Sequence, residues 1–113
     1  MRDKWTSALS VVGLLALAVA YALPRHPSAG TAVALDAIVH AALFAGIGLW
    51  FGWLAGRRAW VFLLLATLAA LLEVVQWWLG GYPQLEWRDI LANEIGLGFA
   101  LMVLVIRARP ASR

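Results

Sequence analysis

Four long apolar runs, about Trp5 to Leu23, Ala32 to Leu54, Trp60 to Leu79 and Arg88 to Ile106, leave this chain little choice of solvent. At about 1.5 Å per helical residue, each run with its flanks can cross a hydrocarbon core of about 30 Å. Membrane strands would be about ten residues long and alternate in polarity. These runs are instead continuous and rich in alanine and leucine, so helices are expected rather than a barrel. Composition agrees: 64% of residues are hydrophobic and 13% charged, against about 45–50% and about 25% in a soluble domain. The expectation is an all-α integral membrane bundle of four transmembrane helices, forming a single domain over residues 1–113.

The connecting segments carry turn formers and most of the charge. Pro24 to Thr31, with two prolines and a glycine, reads as a loop in which His26 is solvated. Ala55 to Ala59 (AGRRA) reads as a tight basic turn, Gly80 to Trp87 as a second polar loop, and RARPASR as a frayed basic end. Arg2 and Lys4 ahead of the first run, with AVA and AYA near Ala18 to Ala22, also fit a signal peptide. The run is long for that role, which favours its retention as a helix. Arg2, Lys4, Arg57, Arg58, Arg107, Arg109 and Arg113 fall on one side of the expected bundle, and Arg25 and Arg88 on the other. Short loops rich in Lys and Arg stay in the cytoplasm, so both termini and the Arg57–Arg58 turn are expected there. Trp5, Trp53 and Trp60 then lie at the inner interface, and Trp77, Trp78 and Trp87 at the outer one, as aromatic belts. The net charge of +3 does not indicate nucleic acid, because the basic residues stand singly or in pairs at run ends. With no cysteine, neither a disulfide framework nor a thiolate site is possible.

Polar residues inside such runs are costly and therefore informative. Asp36 and His40 stand four apart in the second run, Glu73 and Gln76 three apart in the third, and Asp89 and Asn93 four apart in the fourth. Each spacing places its pair on one helix face. Counting from the outer helix ends, His40, Glu73 and Asn93 lie about 12, 9 and 8 Å deep. Asp36, Gln76 and Asp89 lie about one turn nearer the surface. Agreement in depth across three helices points to a shared outer-leaflet pocket. In it His40, Glu73 and Asp89 are candidate catalytic groups, and Asp36, Gln76, Glu86 and Asn93 candidate binding groups. A His40–Glu73 pair beside Asp89 suits proton transfer near neutral pH; the same groups also offer imidazole and oxygen ligands to a divalent metal. The plain alternative is that these residues only bond helix to helix, at about 0.6 kcal/mol each, and that Asp89 merely caps the fourth helix. Glu94 points about a quarter-turn from Asn93 and has no assigned role. Gly46, Gly48, Gly52, Gly96 and Gly98 are expected to allow close helix contact.

At these residues the sequence resembles the VanZ-like family of small bacterial membrane proteins. The resemblance lies in Asp36 and His40 in DAIVH, Glu73 and Gln76 in EVVQ, and Asp89, Asn93 and Gly96 in DILANEIG, with Glu86 where an additional acidic residue often precedes the aspartate. It covers roughly Asp36 to Gly98. Two departures stand out: Ala37 occupies a position where the family often has lysine, and Tyr82, Pro83 and Gln84 a stretch that tends to contain arginine. Arg88 lies nearby at a different spacing. The resemblance implies a multi-pass protein of the bacterial cytoplasmic membrane connected with the cell envelope, in a family linked with resistance to the glycopeptide teicoplanin. It implies no particular reaction.

Three functions remain open from the sequence. The first is a pocket that binds or processes a lipid-linked or cell-wall ligand; the second is a non-enzymatic scaffold or assembly factor for envelope proteins. A proton or ion carrier ranks last, since no inverted repeat or broken helix is visible. Whether the chain is an enzyme, and its oligomeric state, are not legible at this stage.

Overall fold

The computed structural model describes residues 4–22, 31–80 and 85–108, with side chains over 4–19, 35–80 and 85–108. The expectations for His26, the proline-rich loop, the tip of the second loop and the basic tail lie outside the described residues. Among those described, the chain forms four helices: α1 (Lys4–Ala22), α2 (Thr31–Ala55), α3 (Ala59–Gly80) and α4 (Trp87–Ala108). Their ends fall within about two residues of the apolar runs. Three of them, Leu35–Ala55 of α2, all of α3 and all of α4, are long and apolar enough to cross a membrane. The described apolar stretch of α1, Lys4–Val19, is shorter. Large side chains such as Leu35, Ile38, Leu63, Leu64, Leu91 and Phe99 are exposed on the bundle surface. That is the surface expected where the surrounding solvent is hydrocarbon rather than water.

Helix ends follow local chemistry. α2 stops at Gly56, whose φ of 73° supplies the left-handed residue of a Schellman cap, and the Arg57 amide closes it on the Gly52 carbonyl at 2.8 Å. Arg57 itself has φ 63°, which costs a residue with a Cβ about 1 kcal/mol. α4 starts at Trp87, one residue before the expected run, because the Glu86 carbonyl accepts bonds from the amides of Asp89 and Ile90.

The most extensive contact in the bundle joins α2 to α4. The two run parallel: Gly96 lies against Ala41 and Ala45, Ala100 against Gly48, and Leu104 against Gly52. Ala92, Gly96 and Ala100 repeat every fourth residue on α4, so the backbones meet through small side chains, as membrane helices commonly do. A Cβ added at Gly96 would collide with the Ala41 backbone carbonyl, and at Gly48 it would stand 2.7 Å from the Ala100 Cβ. Gly46 and Gly98 differ from expectation. A Cβ at either would meet nothing within 4 Å, so these two glycines mediate no close approach. α3 runs antiparallel to this pair, with Phe62 near its start against Gly48 and Gly52 near the end of α2. α1 packs chiefly on α3 and contributes Leu17 to the core. It is also tied to α2 by a bond from Trp50 Nε1 to Ser10 Oγ at 2.8 Å.

Gly96→Ala is expected to lower stability by about 1–3 kcal/mol, because the clash is with backbone that cannot swing aside. Gly98→Ala is expected to be neutral or to stabilise by up to about 1 kcal/mol through helix propensity. Unfolding of both variants in detergent, followed by circular dichroism, checks the contrast.

Candidate functional site

The polar residues form layers one helical turn apart. The middle layer takes one side chain from each of α2, α3 and α4: His40, Glu73 and Asn93, all buried. One turn toward the loop that joins α3 to α4 stand Asp36, Gln76 and Asp89, each four or three residues from its middle-layer neighbour. One turn the other way stand Phe44, Ala69 and Leu97, all in the hydrophobic core. Spacings of three and four keep each set on one helix face, so the stacking follows from helix geometry. The apolar floor escaped sequence reasoning. Its signal was present, since each floor residue lies four positions from a polar one.

Within the middle layer the bonds have a direction. Asn93 Nδ2 donates to Glu73 Oε1 at 3.0 Å, and Asn93 Oδ1 lies 3.0 Å from His40 Nδ1. An amide oxygen accepts only, so Nδ1 must carry the hydrogen and donate to it. Glu73 Oε1 lies a further 3.3 Å from the same nitrogen. The other ring nitrogen, Nε2, faces the upper layer, 3.7 Å from Asp36 Oδ2 and 3.8 Å from Asp89 Oδ2. Both separations exceed a direct hydrogen bond. Exposure rises along this path, from 0% for the Glu73 side chain to 11% for Asp89 and 26% for Asp36. The cluster is therefore closed below and, among the described residues, reaches partial exposure at Asp36, while Gln76 and Asp89 stay buried.

Within the cluster, two buried atoms have no hydrogen-bond partner among the described residues: the acceptor Glu73 Oε2 and the donor Gln76 Nε2. They stand one turn apart on one face of α3. Gln76 is thus buried where expected but joins no bond of the network. Glu86 stands just ahead of α4. Its backbone carbonyl caps α4, while its partly buried side chain makes no hydrogen bond or ion pair among the described residues. Asp89 sits in the first turn of α4 and faces His40, its Oδ2 3.8 Å from Nε2. Glu94 lies apart, with Oε1 buried and unpartnered.

The arrangement defines a multi-span helical membrane protein with a buried polar cluster between three of its helices. Asp36, His40 and Asp89 each offer one ligand atom, all within 4.8 Å of one another, and so can coordinate a divalent metal. Comparisons with protein-family models, with curated proteins and with solved structures find no match for this chain.

Replacing Asn93 with leucine removes the amide donor of Glu73 and the amide acceptor of His40 Nδ1–H, leaving the two with only each other at 3.3 Å. The expected cost is about 1–3 kcal/mol, as for buried groups left unsatisfied, above the membrane average of about 0.6 kcal/mol per polar contact. A double-mutant cycle of Asn93→Leu and His40→Leu in detergent should then return a coupling of about 1 kcal/mol; additive effects would contradict the bond.

Proposed function

We propose that this chain is a VanZ-like membrane protein of the bacterial cell envelope whose outer-leaflet cluster binds a lipid-linked or cell-wall ligand. The observation that carries the reading is the convergence of His40, Glu73 and Asn93 over a dry floor and beneath a partly open upper layer. Polar groups that merely hold a bundle together have no need to be graded from buried to the partial exposure of Asp36. Glu73 Oε2 and Gln76 Nε2 add an acceptor and a donor that the described protein leaves unused. An apolar groove of about 640 Å³ between α1 and α2, lined by Leu14, Leu17, Leu43 and Ile47, supports a ligand with a hydrocarbon tail. In this reading α1 is a fourth membrane span and both termini are cytoplasmic. His40, Glu73 and Asp89 contact the ligand's polar part, with Asp36, Gln76 and Asn93 around them.

Alanine at His40, Glu73 and Asp89 together is expected to return a host's teicoplanin susceptibility to that of cells lacking the chain, while membrane insertion persists. A properly inserted triple variant with wild-type resistance would remove the binding reading and leave the scaffold. Topology is checked separately, since the chain has no native cysteine. In intact cells, a membrane-impermeant maleimide is expected to label Ser28→Cys and spare Arg58→Cys.

A further inference from the structure

We infer that Asp36, His40 and Asp89 form a binding site for a first-row divalent cation, zinc or manganese, whose open coordination positions face the upper end of the cluster. The inference rests on the reading of the cluster as a ligand site and names one of its occupants. An imidazole with two carboxylates is a donor set that these ions share.

The geometry supplies the reason for a cation at this point. Asn93, held by Glu73, fixes the hydrogen of His40 on Nδ1. A neutral ring then turns the Nε2 lone pair toward two carboxylate oxygens. With the ring neutral, the Nε2 lone pair and the ionised Asp89 carboxylate repel unless positive charge stands between them. The two Nε2–carboxylate separations of 3.7 and 3.8 Å are long for hydrogen bonds but close to those of ligands on one ion. Two donors each about 2.1 Å from zinc lie about 3.4 Å apart in a tetrahedron. Closure by a few tenths of an ångström on those two edges, and by up to about 1.4 Å between the aspartate oxygens, completes the shell.

Two further observations point the same way. Glu73 is almost fully buried, its Oε1 lies 3.3 Å from His40 Nδ1, and its Oε2 has no partner among the described residues. A carboxylate behind the non-ligating nitrogen is the usual support of a metal-bound histidine, making Glu73 a positioning residue. Charge balance adds to this. Among the described residues, His40 is the sole ion-pair partner of both Glu73 and Asp89, and one imidazolium cannot neutralise two carboxylates. A divalent ion can. Three protein ligands leave positions for water or an anionic oxygen of the envelope ligand, and the partly exposed Asp36 marks the way in.

The test uses the full chain in detergent, stripped with a chelator and then titrated with Zn²⁺ alone against a chromogenic competitor. The expected result is one bound ion per chain, with affinity reduced about 10- to 100-fold by Glu73→Gln. His40→Gln and Asp89→Asn should reduce it further, and Glu94→Gln should leave it unchanged. Circular dichroism reports whether each variant keeps its helices. Absence of stoichiometric binding by the wild type, or wild-type affinity in a helical His40→Gln or Asp89→Asn variant, overturns the site. Where a variant fails to fold, Mn²⁺ bound to the wild type takes its place. Pulsed electron paramagnetic resonance is expected to show coupling to an imidazole nitrogen, and its absence overturns the site equally. Zinc uptake is read on purified protein and teicoplanin resistance in cells, so either reading can fail while the other stands.

Discussion

Hydrocarbon offers a polar side chain no hydrogen-bond partner, so every such group on these helices must find one within the protein or reach toward an interface. This constraint accounts for where the helices touch. α2 and α4 can bring His40 within 3.0 Å of Asn93 only because Gly96 lets the α4 backbone lie against Ala41 one turn away. Small residues and polar residues therefore act as one device: the first removes the bulk that would hold the backbones apart, and the second uses the proximity. α3 closes the third side, its Glu73 accepting from the same asparagine.

Asn93 is the pivot of the cluster because an amide has both a donor and an acceptor. One end satisfies the glutamate, and the other sets which nitrogen of His40 bears hydrogen. The glutamate thereby influences the distant face of the imidazole, which it does not touch. An aspartate in place of Asn93 would set two carboxylates against each other, and a leucine would leave Glu73 and His40 with only each other, 3.3 Å apart. The apolar floor of Phe44, Ala69 and Leu97 matters for the same reason. By excluding water from below it makes each bond above more directional and each unpaired atom more costly.

Much of this was legible in the sequence because helical spacing and depth are both set by counting residues. Asp36 with His40, Glu73 with Gln76, and Asp89 with Asn93 could be placed in two layers from their numbers alone. The structure brings Asp36, His40, Glu73, Asp89 and Asn93 into one connected group. Residue counting does not say which helices are closest. The parallel α2–α4 pair depends on Gly96 and Ala100 meeting Ala41, Ala45 and Gly48, a match between two separated segments that no single segment discloses. Glycine content misled at Gly46 and Gly98 because a glycine signals close approach only when its bare face points at a neighbour.

The same layering determines what the site can do. A histidine held rigidly from below by Asn93 and Glu73 presents a single nitrogen upward, and the two aspartates beside it lie at the end where exposure begins. A bundle assembled only for stability would gain most by placing its strongest polar pairs where the dielectric is lowest and direct contact is closest. Here the middle layer does so, with bonds of 3.0 Å, yet the upper layer keeps its carboxylates 3.7 and 3.8 Å from the imidazole. Direct bonds below and wider spacing above divide the cluster into a fixed support and a receptive surface. That division, rather than the mere presence of polar residues in a membrane helix, is what supports the proposed site over an internal tie.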